Sequence, residues 1–393
     1  MADTEIRVGI LGSGFAAAFH FEALKRVYST KPVVVGVYSP TAEKRKAFAK
    51  ARGIRAFDSL EELLRESQAV HVCTPPASHE EITVAALESG KSAIVEKPFT
   101  GYFGDGSPGF SGDSFSREVG LTQAMESVRR ILNAEASGGG QVLYAENWVY
   151  APPVQKEREI IEKTNAQVIW MLGQESHSGS HSPFYGIWSH SGGGSIMGKS
   201  VHPLTTALYL KKVEGRMRQG RPIRPARVTA RTHIVTRSDF YIDAGYLKAG
   251  YKDIEDFGAL HVVFDDGTFA DIFASELVHG GVKNWIEVNA NNHRTVCNIN
   301  PNNTMETYNP EGKNFEDVYT VEKIGTKEGW SFTSPDEAWF HGYQHEMEAF
   351  YRCVATGDSP EADSQLAADT IAVVYAAYVS AERRGREVEV PQV

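Results

Sequence analysis

The sequence predicts an α/β protein with two domains. We expect a doubly wound parallel sheet in residues 1–150 and a mostly antiparallel open sheet backed by helices in residues 151–393. Short apolar runs alternate with helical patterns in the first part, which is typical of parallel βαβ units. In the second part, strand patterns follow one another between residues 227 and 290, with a hairpin turn at 265–267. Two long helical patterns then close the chain.

Composition and charge argue against several classes of protein. The chain has 393 residues, of which 41% are hydrophobic and 23% charged, so it can bury the cores of two domains. Its formal net charge of −10 argues against a nucleic-acid partner or an anionic membrane surface. Its three cysteines are far apart and odd in number, and no segment approaches the ~18 apolar residues of a membrane span. We therefore expect a soluble cytoplasmic protein.

The first strand leads into a glycine-rich turn. The apolar run 6–11 is followed by G-x-G-x-x-A and then by a helical pattern at 19–27. Gly12 permits a tight turn, Gly14 lets the backbone approach a pyrophosphate, and Ala17 lets the helix pack closely. A structural glycine turn is the alternative, but the flanking elements favour a Rossmann dinucleotide site. The expected cofactor contacts in this turn are Gly12, Ser13, Gly14, Phe15 and Ala16.

The second strand, at 32–38, ends without the acid that holds the ribose of NAD. Ser39 stands there instead, and its hydroxyl could bind a 2′-phosphate. Thr41 and Lys44 follow at the start of the next helix, together with Arg45. This pattern favours NADP over NAD; alternatively, the cations form only the solvated face of that helix. We expect Ser39, Thr41 and Lys44 to contact the cofactor.

The alternation of helix and strand then continues. Helical patterns at 60–67 and 78–89 flank a strand at 69–74, and the next strand is 93–95. The end of the middle strand should lie beside the nicotinamide ribose. The expected contacts there are Thr74, Pro75 and His79, although His79 could instead be only a polar residue near the helix start.

The strand at 93–95 stops at Glu96-Lys97-Pro98. Open α/β sheets bind ligands beyond the carboxyl ends of their strands, and the proline holds Lys97 in an extended conformation. We therefore interpret Lys97 as a catalytic residue that also contacts cofactor and substrate, with Glu96 beside the cofactor. A plain strand end would look similar.

A loop rich in glycine and serine at 102–120 follows, and we interpret it as a lid over the substrate. A helix is predicted at 121–133 and a strand at 141–149. Asn147 and Trp148 continue that strand; they either line the cleft or pack between the domains.

Beyond a helix at 154–163 and a strand at 168–174 lies a loop that contains His177, His181 and His190. His177 and His181 have the spacing of metal ligands on a helix, but the intervening Ser-Gly-Ser does not favour a helix. We predict no metal and expect both histidines to donate hydrogen bonds to a polyhydroxylated substrate. The helix that follows should end near Lys211, and the closing helical patterns are 336–355 and 363–384.

Three features in this order resemble the glucose–fructose oxidoreductase/inositol dehydrogenase/rhizopine catabolism (Gfo/Idh/MocA) family. They are the G-x-G-x-x-A turn, Glu96-Lys97-Pro98, and the segment from Gly192 to His202. The resemblance covers nearly the whole chain. It implies that the motif lysine contacts substrate and nicotinamide, that a histidine four residues after an aspartate is catalytic, and that open sheets form dimers or tetramers.

The chain departs from this family at two positions. Gly198 stands four residues before His202, where the family has aspartate, and Thr205 replaces a second aspartate. Without the carboxylate, His202 should be less basic, so Lys97, Lys199 or a loop histidine must share the proton transfer. His202 remains the expected catalytic base, because histidine exchanges protons near neutral pH.

These features predict an NAD(P)-dependent oxidoreductase that transfers a hydride between nicotinamide and a secondary hydroxyl or ketone of a sugar, polyol or sugar derivative. Two alternatives remain: glycoside cleavage by transient oxidation with tightly bound NAD(H), and a non-catalytic nucleotide-binding sensor. The expected partner is a small carbohydrate-like substrate. The expected substrate contacts are Lys97, Asn147, Trp148, His177, His181, Lys199 and His202.

Overall fold

The computed structural model describes residues 4–180, 182, 184–248, 250–300 and 305–393. Its first half is built around a parallel sheet. The elements are β1 (Glu5–Leu11), α1 (Phe15–Leu24), β2 (Lys31–Tyr38), α2 (Ala42–Arg52), β3 (Arg55–Ala56), α3 (Leu60–Glu66), β4 (Ala69–Val72), α4 (His79–Glu88), β5 (Ser92–Glu96), α5 (Arg117–Ser137) and β6 (Val142–Ala145).

The six strands of this sheet are all parallel, in the order β3-β2-β1-β4-β5-β6. The order reverses between β1 and β4, so a crevice opens beyond their carboxyl ends. Strands β4 and β6 are buried along their whole length, as expected for parallel strands covered on both faces. The predicted doubly wound sheet is confirmed.

The prediction of a strand through residue 149 is wrong. Strand β6 ends at Ala145, and the chain turns into α6 (Asn147–Tyr150). The Glu146 side chain caps this turn by accepting a hydrogen bond from the Trp148 amide, at 3.4 Å. Apolar aromatic residues suit a buried helical turn as well as a strand, so the pattern alone could not distinguish the two.

The second half contains a seven-stranded mixed sheet in the order β12-β11-β7-β10-β9-β8-β15. Its neighbours are antiparallel except for β7 and β10, which run parallel. The elements are α7 (Pro152–Thr164), β7 (Val168–Ser176), α8 (Trp188–Ser191), α9 (Val201–Gln219), β8 (Pro225–His233), β9 (Phe257–Phe264), β10 (Phe269–Ser275), β11 (Lys283–Ala290), β12 (Arg294–Asn298), β13 (Glu306–Asn309), β14 (Gly329–Phe332), α10 (Glu337–Phe340), α11 (Tyr343–Thr356), α12 (Ser364–Glu382) and β15 (Val388–Glu389).

The penultimate helix is interrupted where the sequence predicted one continuous helix. Gly342 separates α10 from α11 with φ of +89°, and a Cβ there would lie 2.4 Å from the Asn147 carbonyl oxygen. The chain therefore turns at a position that only glycine fits. Helix α11 then packs against α1 and β1, so a C-terminal element covers the N-terminal sheet.

The segment 102–116 is fixed against the second half of the chain. The Tyr102 amide donates to the Tyr375 hydroxyl, and the Gly112 amide donates to Asp253. Trp188 donates its indole N–H to the Tyr102 carbonyl, at 2.9 Å. These contacts fix the segment to the second half of the chain, and its role as a lid over the substrate stays a prediction.

Two further expectations concern membrane spans and the pairing of cysteines. Among the described residues, no helix is long and apolar enough to cross a bilayer. Cys73, Cys297 and Cys353 are all free thiols.

Candidate active site

The turn between β1 and α1 has the shape of a dinucleotide cradle. Gly12 has φ of +112°, and a Cβ there would lie 2.4 Å from the Cys73 carbonyl oxygen, so the turn requires glycine. Gly14 caps α1, and nothing lies within 4 Å of the position of its missing side chain. A pyrophosphate can therefore approach the backbone and the helix N-terminus, so the turn fits the expected cofactor. Phe15 is 86% exposed beside it, and Ala16 is half-buried.

The end of β2 places hydroxyls where the ribose of a dinucleotide would lie. Ser13 and Ser39 share a hydrogen bond of 2.9 Å between their hydroxyls. Thr41 and Lys44 are exposed at the start of α2. Arg45 is instead buried, because its guanidinium donates to the Ser39 carbonyl at 2.7 Å and to Asp58 at 2.9 Å.

The residues after β4 and β5 are linked through His79. Its ring nitrogens lie 2.9 Å from the Pro98 carbonyl and 3.0 Å from the Thr74 carbonyl, and the ring is 1% exposed. His79 thus holds two strand ends together, and a direct contact with cofactor stays a prediction. Thr74 is half-buried and Pro75 exposed at the same edge.

Lys97 is aimed across the crevice into the second half of the chain. It follows β5, precedes a cis peptide bond to Pro98, and donates from Nζ to the Gly198 carbonyl at 3.1 Å. The Glu96 carboxylate accepts from the Lys97 amide at 3.1 Å and from His20 at 2.7 Å. The backbone of Lys97 is therefore fixed by an acid from its own strand end.

A buried relay stands behind Glu96. His20 lies 2.7 Å from His71 between Nδ1 atoms, and His71 Nε2 lies 2.8 Å from the Tyr351 hydroxyl. Two proton assignments satisfy these contacts: a protonated His20 donates to Glu96 and His71 while His71 donates to Tyr351, or a neutral His20 donates to Glu96 while His71 donates to His20 and accepts from Tyr351. Burial lowers the pKa of His20, but Cys73 and Glu96 outweigh it and hold that pKa well above its usual value. Burial and the charge of His20 hold the pKa of His71 well below its usual value.

His202 lies in the first turn of α9 and is held by two carboxylates. Its Nδ1 lies 2.5 Å from Glu146 Oε1, and its Nε2 lies 3.6 Å from Glu175 Oε2. The Trp148 indole stacks on the imidazole with ring centroids 5.7 Å apart. The expectation that His202 lacks an acidic partner is therefore wrong, since Glu146 provides one from the end of β6.

Glu175 lies at the centre of the site. It is the last but one residue of strand β7, is 8% exposed, and experiences the charges of His202, Lys97 and Lys199. Burial raises the pKa of this carboxyl, and the three cations oppose the shift. The structure thus brings both predicted catalytic side chains and one predicted substrate contact around a single acid.

A tyrosine occupies the space beside Gly198. This glycine lies in a π-helical turn, Ile196–Ser200, and a Cβ on it would lie 2.7 Å from the Tyr185 hydroxyl oxygen. An aspartate there would displace the ring. Tyr185 donates to Glu276 at 2.6 Å, and burial holds the pKa of the phenol well above its usual value.

The same Glu276 joins two predicted substrate contacts. Lys199 donates to its Oε1, and His177 Nδ1 lies 3.7 Å from its Oε2. Glu276 is fully buried, so it keeps the Lys199 ammonium paired next to the site.

The remaining positions singled out in the sequence are Asn147, Thr205 and His181. Asn147 is buried and donates to the His341 carbonyl at 2.7 Å, and Thr205 faces helix α12 through Thr370 at 2.9 Å. Both side chains thus make packing contacts, and a substrate contact by Asn147 stays a prediction. His181 lies outside the described residues.

Sequence reasoning missed Glu146, Glu175 and Glu276. Each follows a strand or ends one: Glu146 comes after β6, Glu175 lies near the end of β7, and Glu276 comes after β10. An acid at the end of an apolar run could have indicated these residues, but only Glu96 was identified in this way. That β7 and β10 pair in parallel, which brings Glu175 and Glu276 to one edge, is visible only in three dimensions.

His341 gives the site a measurable acid sensitivity. Burial, reinforced by the charge of His202, lowers its pKa to about 4, so the folded chain keeps it neutral while the unfolded chain protonates it near pH 6.5. Stability therefore falls as pH drops from about 6.5 towards 4. Between pH 7 and 4.5 we expect this residue to cost roughly 2 kcal/mol in the free energy of unfolding, measured by urea denaturation. A His341→Gln variant, which can still donate to Asn300, should lose that part of the pH dependence; equal pH dependence in both proteins would contradict the assignment.

Comparisons with known proteins agree with this geometry. Residues 6–107 match the GFO_IDH_MocA family model, described as "Oxidoreductase family, NAD-binding Rossmann fold". The UDP-N-acetylglucosamine 3-dehydrogenase of Acidithiobacillus ferrooxidans is 33% identical over 95 residues, which are 24% of this chain and 29% of that protein. The inositol 2-dehydrogenase of Leifsonia xyli subsp. xyli is 39% identical over 98 residues, with the same two coverages of 24% and 29%. These matches thus span less than a third of either relative.

The fold comparison covers the whole chain. The crystal structure of GenD2 from gentamicin A biosynthesis in complex with NAD superposes with a TM-score of 0.78 at 21% identity, over 100% of this chain and 98% of that one. At this identity the likeness concerns the fold. Residues 6–107 are thus similar to the NAD-binding Rossmann domain of the Gfo/Idh/MocA oxidoreductase family, and the full chain shares the fold of the GenD2 structure.

Proposed function

We propose that the chain is an NAD(P)-dependent oxidoreductase acting on a secondary hydroxyl or ketone of a sugar, polyol or sugar derivative. The gathering of Lys97, His202 and Lys199 around Glu175, at the switch point of a dinucleotide-binding sheet, carries the proposal. The relatives named above as sugar and inositol dehydrogenases support the substrate class.

The roles follow from the contacts of each side chain. Because Nδ1 of His202 donates to Glu146, its Nε2 carries the lone pair that can take the proton of a substrate hydroxyl. Glu175, 3.6 Å from Nε2, stabilises the imidazolium that forms. The Lys97 ammonium donates to the substrate oxygen and polarises it. A bound nicotinamide supplies hydride transfer chemistry.

We further propose a preference for NADP. The end of β2 carries no acid that would repel a 2′-phosphate, and the Ser13 and Ser39 hydroxyls with exposed Lys44 can receive one. Arg45 adds little, since its guanidinium is bonded to Ser39 and Asp58.

The organisation of the whole molecule is also a proposal. We propose two domains at residues 1–150 and 151–393, a cytoplasmic location, and a dimer or tetramer formed through the open sheet. The outer face of that sheet carries partly exposed Ile169, Phe273 and Val296, which a second copy could cover.

The test is absorbance of reduced nicotinamide. Purified protein with NAD or NADP in separate reactions is offered sugars, polyols, sugar acids and glycosides. We expect a rise with one substrate class and a higher kcat/KM for NADP. No change across the panel, with nucleotide nevertheless bound, would favour transient oxidation or a sensor, and product analysis on glycosides would separate these two.

A further inference from the structure

A lysine whose buried side chain has a single, loose ion-pair partner among the described residues lies beside the candidate site. Lys323 belongs to the segment 310–328 between β13 and β14, and its side chain is 6% exposed. Its nearest acid is Glu322, half-exposed, with 3.6 Å between Nζ and Oε1, and it donates no hydrogen bond to any residue that the structure describes. A buried ammonium normally has a carboxylate or several acceptors around it.

The surroundings of Lys323 do not supply the missing acceptor. Lys199 is close enough for its charge to repel the Lys323 ammonium. Glu276 is also near and attracts Lys323, but its Oε1 already accepts from Lys199 and Tyr185, and its Oε2 lies 3.7 Å from His177. Burial lowers the pKa of Lys323, and Lys199 adds to the shift while Glu322 and Glu276 oppose it. An additional anion would relieve this imbalance.

The backbone of Lys323 is held in an unusual conformation. Its φ is +60°, in the left-handed region that few residues other than glycine adopt. The segment is fixed nearby by Lys327, whose ammonium donates to the carbonyls of Phe315, Glu316 and Val318. Lys327 is therefore occupied by three carbonyls, whereas the Lys323 ammonium has, within the described part of the chain, only the ion pair with Glu322, on a backbone in the left-handed region.

A pocket adjoins this ammonium. Its volume is about 450 Å³, and it is lined by Ser178 and by residues 319–325 and 327. Ser178 follows His177, which lies 3.7 Å from Glu276, so the pocket adjoins the candidate site. The space is large enough for a substituted sugar.

We propose that Lys323 binds an anionic group of the substrate, a carboxylate or a phosphate, so that the substrate is an acidic sugar derivative. That the anion belongs to the substrate rests on the proposed function, whereas the binding of an anion by Lys323 does not depend on it. The ammonium and the anion form a charge-assisted hydrogen bond in a site with little water, and the rest of the sugar extends towards Lys97 and His202.

The experiment compares neutral and acidic probes on matched variants. D-glucose, D-glucuronate and D-glucose 6-phosphate are titrated by tryptophan fluorescence into wild type, Lys323→Met, Lys323→Arg and Lys313→Met, and turnover is measured with the same probes. Lys313 lies on the same segment with its side chain 76% exposed, so its variant controls for charge alone.

We expect an acidic probe to bind the wild type more tightly than glucose, and Lys323→Met to weaken that binding at least about tenfold, with Lys323→Arg recovering part of it. Preference for glucuronate or for the phosphate distinguishes the two anions. Turnover of neutral sugars only, unchanged in Lys323→Met, would overturn the inference and leave the oxidoreductase intact, as would the absence of any binding by acidic probes. Binding that depends on Lys323 without any turnover would uphold the inference and reject the proposed function.

Discussion

His202→Gln is expected to lower kcat about 10²–10⁴-fold, the usual contribution of general acid–base catalysis. The amide cannot take up a proton, yet it can still form a hydrogen bond with Glu146. KM should change little, because stacking by Trp148 and the shape of the cleft persist. Nucleotide binding, measured by quenching of tryptophan fluorescence, should be unchanged, because His202 lies in α9 and not in the Gly12–Gly14 turn.

Glu146→Gln provides the matched test of the partner. Its amide can still bond to His202 but no longer stabilises the imidazolium or enforces a protonated Nδ1. We expect a smaller loss in kcat than for His202→Gln, and a shift of the acid limb of the pH–rate profile to lower pH. Normal turnover in His202→Gln would show that another group takes the proton.

Lys97→Met is the second substitution with a large expected effect. It removes the ammonium that we assign to the substrate oxygen, and we expect kcat/KM to fall about 10²–10³-fold, as when one oxyanion donor is lost. Methionine fills much of the same space, so the fold should survive, although the bond across the crevice to the Gly198 carbonyl is lost. The measurement is steady-state kinetics with saturating nucleotide.

Two controls isolate the role of Lys97. Lys97→Arg keeps the charge but places it differently, and it should recover only part of the activity. Lys163→Met removes an exposed lysine on α7 and should leave kinetics unchanged. Unaltered kcat/KM in Lys97→Met would remove this residue from the reaction.

Much of the first sheet could be predicted because its signals are local. The apolar run before Gly12 and the alternation of short strands with helices need only neighbouring residues to be interpreted. The predictions were wrong where tertiary contacts, rather than neighbouring residues, determine the local structure. Whether Trp148 belongs to a strand or a helical turn depends on the cap by Glu146, and the interruption at Gly342 depends on the close Asn147 carbonyl. The pairing of β13 with β14 had no strong local pattern and was missed.

The candidate site was only half predictable for a related reason. Lys97 and His202 stood in motifs, so their positions could be proposed from the sequence alone. Glu146 was missed because it is 56 residues from His202, and Gly198 gave the misleading impression that the histidine had lost its acid. Tyr185 explains the glycine, since its ring fills the space that a side chain would need. Lys323 carries no sequence signal, as its burial results from how a long loop folds.

The packing of α11 on α1 and β1 affects the order in which the chain can fold during synthesis. The ribosome releases the residues of the parallel sheet first. The hydrogen bond between His71 and Tyr351 can form only after 280 further residues have been synthesised. The bond from the Tyr28 amide to Glu348 requires 320 further residues. Until then one face of β1 lacks its cover, and apolar surface stays open to aggregation. A nascent chain stalled before residue 343 should therefore depend on a chaperone, and the parallel sheet reaches its native packing only after Tyr351 has been synthesised.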